Sequence, residues 1–299
     1  MRSNLDNKES EQCLCQQKSE RASSLMNTGI CACIVSYNCD KTIIESAQAL
    51  SEGVDQILVV DNCSSGESLS IINALEGMSR VTVYKNTRNE GIAAALNRAL
   101  DYAQSRGYRF LLTMDQDSVI MQDSLTALLQ AICLDEKVGA VGPRYEKKLH
   151  NTEAIESVNY LITSGSLVRI SAAVKCGGYN EDLFVDCVDF DFSFRLIENG
   201  YNLLRVGKAE MRHVIGEPER SKIAGIQYYS HNPARFYTKV KNNLYVIRRH
   251  RASFPGQCLK LALSLVFEIG RVIVLENNKR QKLKFAAKGF FDGVTTFRD

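Results

Sequence analysis

Apolar positions along this chain come in short blocks whose period changes in a regular way. Runs at 30–35, 56–60, 81–85 and 110–114 are dense in large aliphatic residues, which predicts strands. Between them, 41–52, 68–75 and 91–105 carry apolar residues at helical spacing, the last rich in Ala and Leu. This β-α-β-α-β-α-β alternation predicts an α/β protein built on a doubly wound, mostly parallel sheet. Polar residues punctuate three of the strand ends: Ser36-Tyr37-Asn38, Asp61-Asn62 and Asp115-Gln116-Asp117. In open α/β sheets that carboxyl edge is where ligands bind.

Past a helix at 123–134 the pattern loosens. It predicts a strand at 138–141, a loop or edge region at 145–160, and a strand following Thr163-Ser164-Gly165. A helix at 171–176 leads to the turn Gly177-Gly178, then come a helix at 189–198 and a strand at 203–206. From Pro233 onward the pattern is helical and basic. Residues 1–28 are polar and mixed in charge, which predicts a disordered leader with no secretory signal. The expected organisation is therefore a leader (1–28), a catalytic domain (29–232) and a helical basic C-terminal extension (233–299).

The net charge of +3 conceals an asymmetry: residues 235–299 hold 14 Lys/Arg against 4 Asp/Glu, and the rest of the chain is acidic. A basic segment on an acidic body points to an anionic surface as partner, or to a merely solvated face. Ten cysteines occur without the regular framework of a small secreted domain. Cys31, Cys33 and Cys176 sit in apolar or Gly-rich surroundings that suit buried thiols, and Cys13-x-Cys15 has no second pair at metal-ligand spacing. The chain reads as cytoplasmic and reduced, and its longest apolar stretch, broken by Lys260, Glu268 and Arg271, is too short to span a bilayer.

Two acidic clusters and one histidine are the candidates for chemistry. Asp115 and Asp117 follow a buried strand, where paired carboxylates suit a hard cation bound together with phosphate. Asp186, Asp189 and Asp191 form a second cluster. A helix starting near Asp189 makes its carboxylate either a base for an acceptor hydroxyl or a helix-end anion; the same choice holds for Asp191. His213, after a strand and before Gly216, is a satisfied surface or core residue or the completion of a metal site begun by Asp117.

Val35-Ser36-Tyr37-Asn38, Val60-Asp61-Asn62-Cys63-Ser64, Asn89-Glu90-Gly91-Ile92-Ala93, Met114-Asp115-Gln116-Asp117-Ser118 and the run from Phe184 to Arg195 occur in that order. Together they resemble the motifs of family 2 glycosyltransferases with the GT-A fold. Ser164-Gly165-Ser166 and the late Asn232-Pro233 with Arg235-x-Tyr237 are similar to bacterial rhamnosyltransferases. The resemblance implies that Ser36, Tyr37 and Asp61 contact the nucleoside and that Asn89 and Gly91 lie near the nucleotide. It implies that Asp115 helps hold the ribose or the metal, and that Asp117 and His213 bind Mg²⁺ or Mn²⁺ on the diphosphate. Asp189 takes the place of the catalytic base. Relatives often carry Glu-Asp where this chain has Val188-Asp189, so an orienting role passes elsewhere, with Asp186 a candidate. The role of Asn97 stays open. The implied activity is inverting transfer of L-rhamnose from dTDP-L-rhamnose onto a lipid-linked glycan.

Toward the C-terminus Leu259, Leu263, Val266, Phe267 and Val274 recur at helical spacing, followed by Lys282, Lys284, Phe285, Lys288, Phe290 and Phe291. Such interleaving suits an interfacial helix on anionic lipid at the inner face of the membrane. Packing of the same stripe onto the catalytic domain is the alternative. No nucleic-acid partner is expected. Competing functions are another nucleotide sugar on the same fold, a nucleotidyltransferase, or a non-catalytic membrane- or RNA-binding module. A nucleotidyltransferase calls for a Gly-rich basic loop after the first strand, and 36–42 offers one Lys and no Gly.

Overall fold

Strand β1 (Ile30–Ser36) lies between β2 (Gln56–Asp61) and β4 (Phe110–Asp115), parallel to both, and β2 pairs in parallel with β3 (Val81–Lys85). Helices α1 (Thr42–Ser51), α2 (Glu67–Leu75) and α3 (Gly91–Ser105) make the crossovers. This computed structural model describes residues 28–121, 123–144, 154–213, 219–220, 227–228, 232–276 and 278–295. The expected leader lies outside the described residues except for Thr28, whose backbone N–H and hydroxyl donate to Asp55. Cys13 and Cys15 lie outside them too.

Alternation along β1 divides the core into two layers, because successive strand side chains point to opposite faces. Cys31 and Cys33 join Ala93, Leu96, Ala99 and Leu100 of α3 on one face. Ile30, Ala32 and Ile34 join Ile43, Ala47 and Leu50 of α1 on the other. Burial pushes the Cys31 thiol up to about 12 and Cys33 well above its ordinary value, so both are inert packing groups.

Beyond β4 the sheet is mixed. β8 (Ser166–Arg169) runs antiparallel between β4 and β6 (Val138–Arg144). The long β9 (Asn202–His213) pairs in parallel with β6, and antiparallel with β5 (Ser118–Ile120) and β7 (Ile155–Val158). The whole order is β3-β2-β1-β4-β8-β6-β9-β5, with β7 also on β9. The expected strand at 203–206 is therefore only the start of β9. Helices α4 (Ser124–Ile132), α5 (Ile170–Lys175) and α6 (Val188–Glu198) cover this half, and a two-stranded pair β10 (Glu219–Arg220) and β11 (Gln227–Tyr228) follows.

Three helices close the described chain: α7 (Pro233–His250), α8 (Pro255–Leu275) and α9 (Lys279–Thr295). Asn232 caps α7 by accepting from the Arg235 N–H at 2.7 Å, and Pro233 occupies the first turn, where a missing N–H costs nothing. Phe236 and Val240 of α7 pack with Leu265, Val272 and Ala286. A Cβ at Gly289 would stand 2.6 Å from the Tyr237 carbonyl, so α9 approaches α7 this closely only because glycine is there.

The apolar stripe of α8 does not pack onto the sheet and its helices. Leu259, Leu263, Val266, Phe267 and Val274 are exposed, Phe267 at 74%, and Phe290 and Phe291 of α9 are exposed with them. One member of the expected basic face is corrected: Lys282 is buried and bonds to Glu276, which also pairs with Arg271. Its charge belongs to an internal staple between α8 and α9 because a buried ammonium must be paired.

Candidate active site

The carboxyl edge of β1, β2 and β4 is stitched by side chains. The Gln116 side-chain carbonyl accepts the Tyr37 N–H at 2.8 Å, tying the turn after β4 to the end of β1. Ser164 accepts from the Asp115 N–H at 3.1 Å, and the Thr113 carbonyl accepts the Gly165 N–H at 2.7 Å. The Thr163-Ser164-Gly165 turn thus holds the backbone of β4 at Thr113 and Asp115. Asp117 immediately precedes β5, and Ser118 stands in register with His213 on β9. The fold therefore brings the His213 backbone beside Asp117, while its side chain lies outside the described residues.

Ser36 is fully buried beside the Cys39 thiol, and Tyr37 is half exposed at the edge. Asp61 is buried at the end of β2, its carboxylate accepting the Ser64 N–H at 2.9 Å and the Ser64 hydroxyl. Asn62 is the hub of this corner. Its amide donates to the Gly91 carbonyl and its oxygen accepts from the Asn86 amide. Asn89 accepts from the Gly91 N–H at 3.0 Å. Gly91 has φ +87°, and a Cβ there would meet the Phe184 carbonyl at 2.5 Å, so the close approach is to the chain leading into α6. Asn97, whose role was open, is engaged on both sides of its amide by Tyr179 and also donates to Glu181.

Asp189 sits in the first turn of α6. It is part-buried and shares a small cavity of ≈ 10 Å³ with Thr113, Leu161, Tyr179, Phe192 and Leu196, room for about one water. Burial raises its pKa to about 6 against the pull of backbone N–H bonds, and the carboxylates of Asp186 and Asp115 push in the same direction. Asp115 is thus close enough to act on Asp189 electrostatically, which joins the β4 edge and α6 into one site. A carboxyl poised near neutrality is what a general base needs.

Asp191, two residues on, is built differently. It is fully buried, accepts from the Arg195 guanidinium at 2.7 Å and faces the His250 imidazole at 3.1 Å, whose other nitrogen faces Glu198. Burial pushes its pKa up, but the His250 hydrogen bond and the Arg195 charge outweigh that and hold it below the ordinary carboxylate value. Asp191 ties α6 to α7. Asp186, the candidate for an orienting role, turns its carboxylate to Arg235 at 3.1 Å. Sequence reasoning missed Gln116, His250 and Asn242. Gln116 stood in a quoted motif; His250, inside a run of arginines, and Asn242, in a polar helix, gave no signal.

Asp115 and Asp117 suit a divalent cation in type: Mg²⁺ and Mn²⁺ take oxygen ligands, and one or two carboxylates with phosphate oxygens and water complete a shell. Among the described residues no three His, Cys, Asp or Glu side chains form a self-sufficient metal cluster.

The sequence profile of glycosyl transferase family 2 matches residues 31–185, more than half of the chain, and the chain belongs to that family. The dTDP-rhamnosyl transferase RfbF of Shigella flexneri is 26% identical over 291 residues, covering 90% of this chain and 96% of that one. Among solved structures, Staphylococcus aureus TarS 1–349 in complex with UDP-GlcNAc aligns with TM-score 0.59 at 17% identity, over 89% of this chain and 81% of that one. The mannosyltransferase PcManGT of Pyrobaculum calidifontis, in complex with GDP-Man and Mn²⁺, aligns with TM-score 0.56 at 14% identity, over 90% and 88%. The fold is the α/β fold of GT-A glycosyltransferases with C-terminal helices, and the protein is a glycosyltransferase.

Proposed function

We propose that this glycosyltransferase moves L-rhamnose from dTDP-L-rhamnose to a hydroxyl of a lipid-linked cell-surface glycan, with inversion. The observation that carries the reading is the placement of Asp189. It is a carboxyl with a pKa of about 6, within electrostatic reach of Asp115 at the nucleotide-binding edge. The donor is supported by similarity to a dTDP-rhamnosyl transferase along almost the whole chain. In this reading Ser36, Tyr37, Asp61, Asn89 and Gly91 form the nucleoside side of the site. The acceptor oxygen attacks the anomeric carbon, the bond from that carbon to the diphosphate oxygen breaks, and Asp189 takes the acceptor proton. A divalent cation held by Asp115, Asp117 and His213 would neutralise charge on the departing diphosphate.

Residues 29–232 act as the catalytic domain and 233–299 as the membrane-facing segment. The exposed stripe of α8 and Phe290 and Phe291 of α9, beside Lys284 and Lys288, would lie on anionic lipid at the inner face of the membrane. No helix among the described residues is long and apolar enough to cross a membrane.

The test is a thermal-shift series with dTDP-L-rhamnose, UDP-GlcNAc and GDP-mannose, each with Mn²⁺ or Mg²⁺. A donor at about 100 times its dissociation constant stabilises the fold by about 2.7 kcal/mol. The reading expects that of dTDP-L-rhamnose, and a larger shift with another sugar nucleotide would overturn the donor.

A further inference from the structure

We infer that Asn242, on the C-terminal helix α7, is a positioning residue for Asp189; this rests on Asp189 being the base. The turn that launches α6 is unusual. Asp186 and Cys187 are consecutive non-glycine residues in the left-handed region, at φ +63° and +64°. Such a backbone persists only where its surroundings over-determine it. The helix offers no local help, because Cys187 makes no side-chain cap.

The restraint comes from α7. The Asn242 amide nitrogen donates to the Val185 carbonyl at 2.7 Å and to the Asp186 carbonyl at 3.1 Å, and Asn242 is fully buried. Only an NH₂ group can face two carbonyl oxygens, so the amide orientation is fixed by chemistry. Arg235 grips the Asp186 carboxylate from the solvent side. The same helix meets this segment again at Asn180, through Tyr245, and at Asp191, through His250. Asp189 lies between these grips. Among the described residues its carboxylate bonds to backbone N–H groups at the start of its own helix, so the direction in which it points is set by the turn. Asn242 therefore aims the base without touching any substrate.

Asn243 is the internal control. It is buried on the same helix, but its amide donates to the Lys239 carbonyl within α7. The experiment compares full-length wild type with Asn242→Ala, Asn242→Ser, Asn243→Ala and Asp189→Asn. It measures melting temperature, dTDP affinity by calorimetry, and kcat against pH for dTDP release from dTDP-L-rhamnose with water as acceptor. Asn242→Ala should lower kcat about 10²-fold, the scale of a misplaced reacting group, and move the acid limb of the profile while dTDP affinity is unchanged. Asn242→Ser, which keeps one donor, should fall between, and Asn243→Ala should keep wild-type kcat. If Asn242→Ala does not fold, the serine variant is read by the same criteria. Wild-type kcat and acid limb in the Asn242 variants, or an equal loss in Asn243→Ala, would overturn the inference. Asp189→Asn separates the two layers: if it too retains turnover, the base assignment fails as well, and if it alone loses turnover, only the role of Asn242 fails.

Discussion

The imidazole of His250 and the carboxylate of Asp191 face each other at 3.1 Å, both fully buried, and join the last turn of α7 to the first turn of α6. The pair makes two neighbouring aspartates differ in kind. Asp191 is charge-paired and inward, whereas Asp189 has no cationic partner among the described residues and lies at the site. His250→Ala takes away one of the two buried side-chain partners of Asp191 and leaves Arg195 as the other, so it should cost about 1–3 kcal/mol, read as a lower urea midpoint with unchanged slope. Because the folded state holds Asp191 below its ordinary value, its contribution is complete above about pH 4 and is lost as pH falls further. Acid unfolding of wild type should therefore begin at lower pH than that of Arg195→Met.

The linkage at Asp189 has the opposite sign. Its folded pKa of about 6 lies above the ordinary 3.8, so ionisation opposes folding as pH rises through that window. Asp189→Asn should gain melting temperature over wild type at pH 8 and show no such gain at pH 3.5. In wild type, kcat/KM for the donor should fall below about pH 6, because that ratio reports the base in the free enzyme. A flat profile through pH 5 would contradict the assignment.

Asp117→Ala should remove the Mn²⁺ dependence of dTDP binding, since the cation would lose a carboxylate ligand on the protein side. Calorimetry with and without Mn²⁺ reads this directly. A mutant with the wild-type metal effect would remove Asp117 from the cation site.

The α8 face is testable by point substitution. Truncation is unsuitable, because Phe236 and Val240 of α7 lean on α8 and α9. Leu263→Asp with Phe267→Asp should abolish binding to phosphatidylglycerol vesicles, as each buried side chain of this size contributes about 1.5–3 kcal/mol. Both residues are exposed, so melting temperature should stay near wild type. Undiminished vesicle binding would contradict membrane docking.

The parallel half of the fold was legible because its residues obey one local rule each: continuous apolar strands, helical spacing between them, polar strand ends. β5 was not, since three residues carry no period, and β9 runs past Val206 through Gly207-Lys208, where alternation lapses, to pair with β5 only at Met211–His213. The acidic residues of the site were legible as types at strand and helix ends. Their supports were not. Asn242 and His250 act on residues more than fifty positions away, and Lys282 is buried by a partner that spacing does not reveal.

Asp189 is the proposed base, and the most direct test is steady-state turnover of dTDP-L-rhamnose by Asp189→Asn at pH 8, paired with dTDP affinity for the same protein. Loss of a general base should lower kcat about 10²–10⁴-fold while the dissociation constant for dTDP stays near wild type. Wild-type turnover in a folded Asp189→Asn protein would contradict the account.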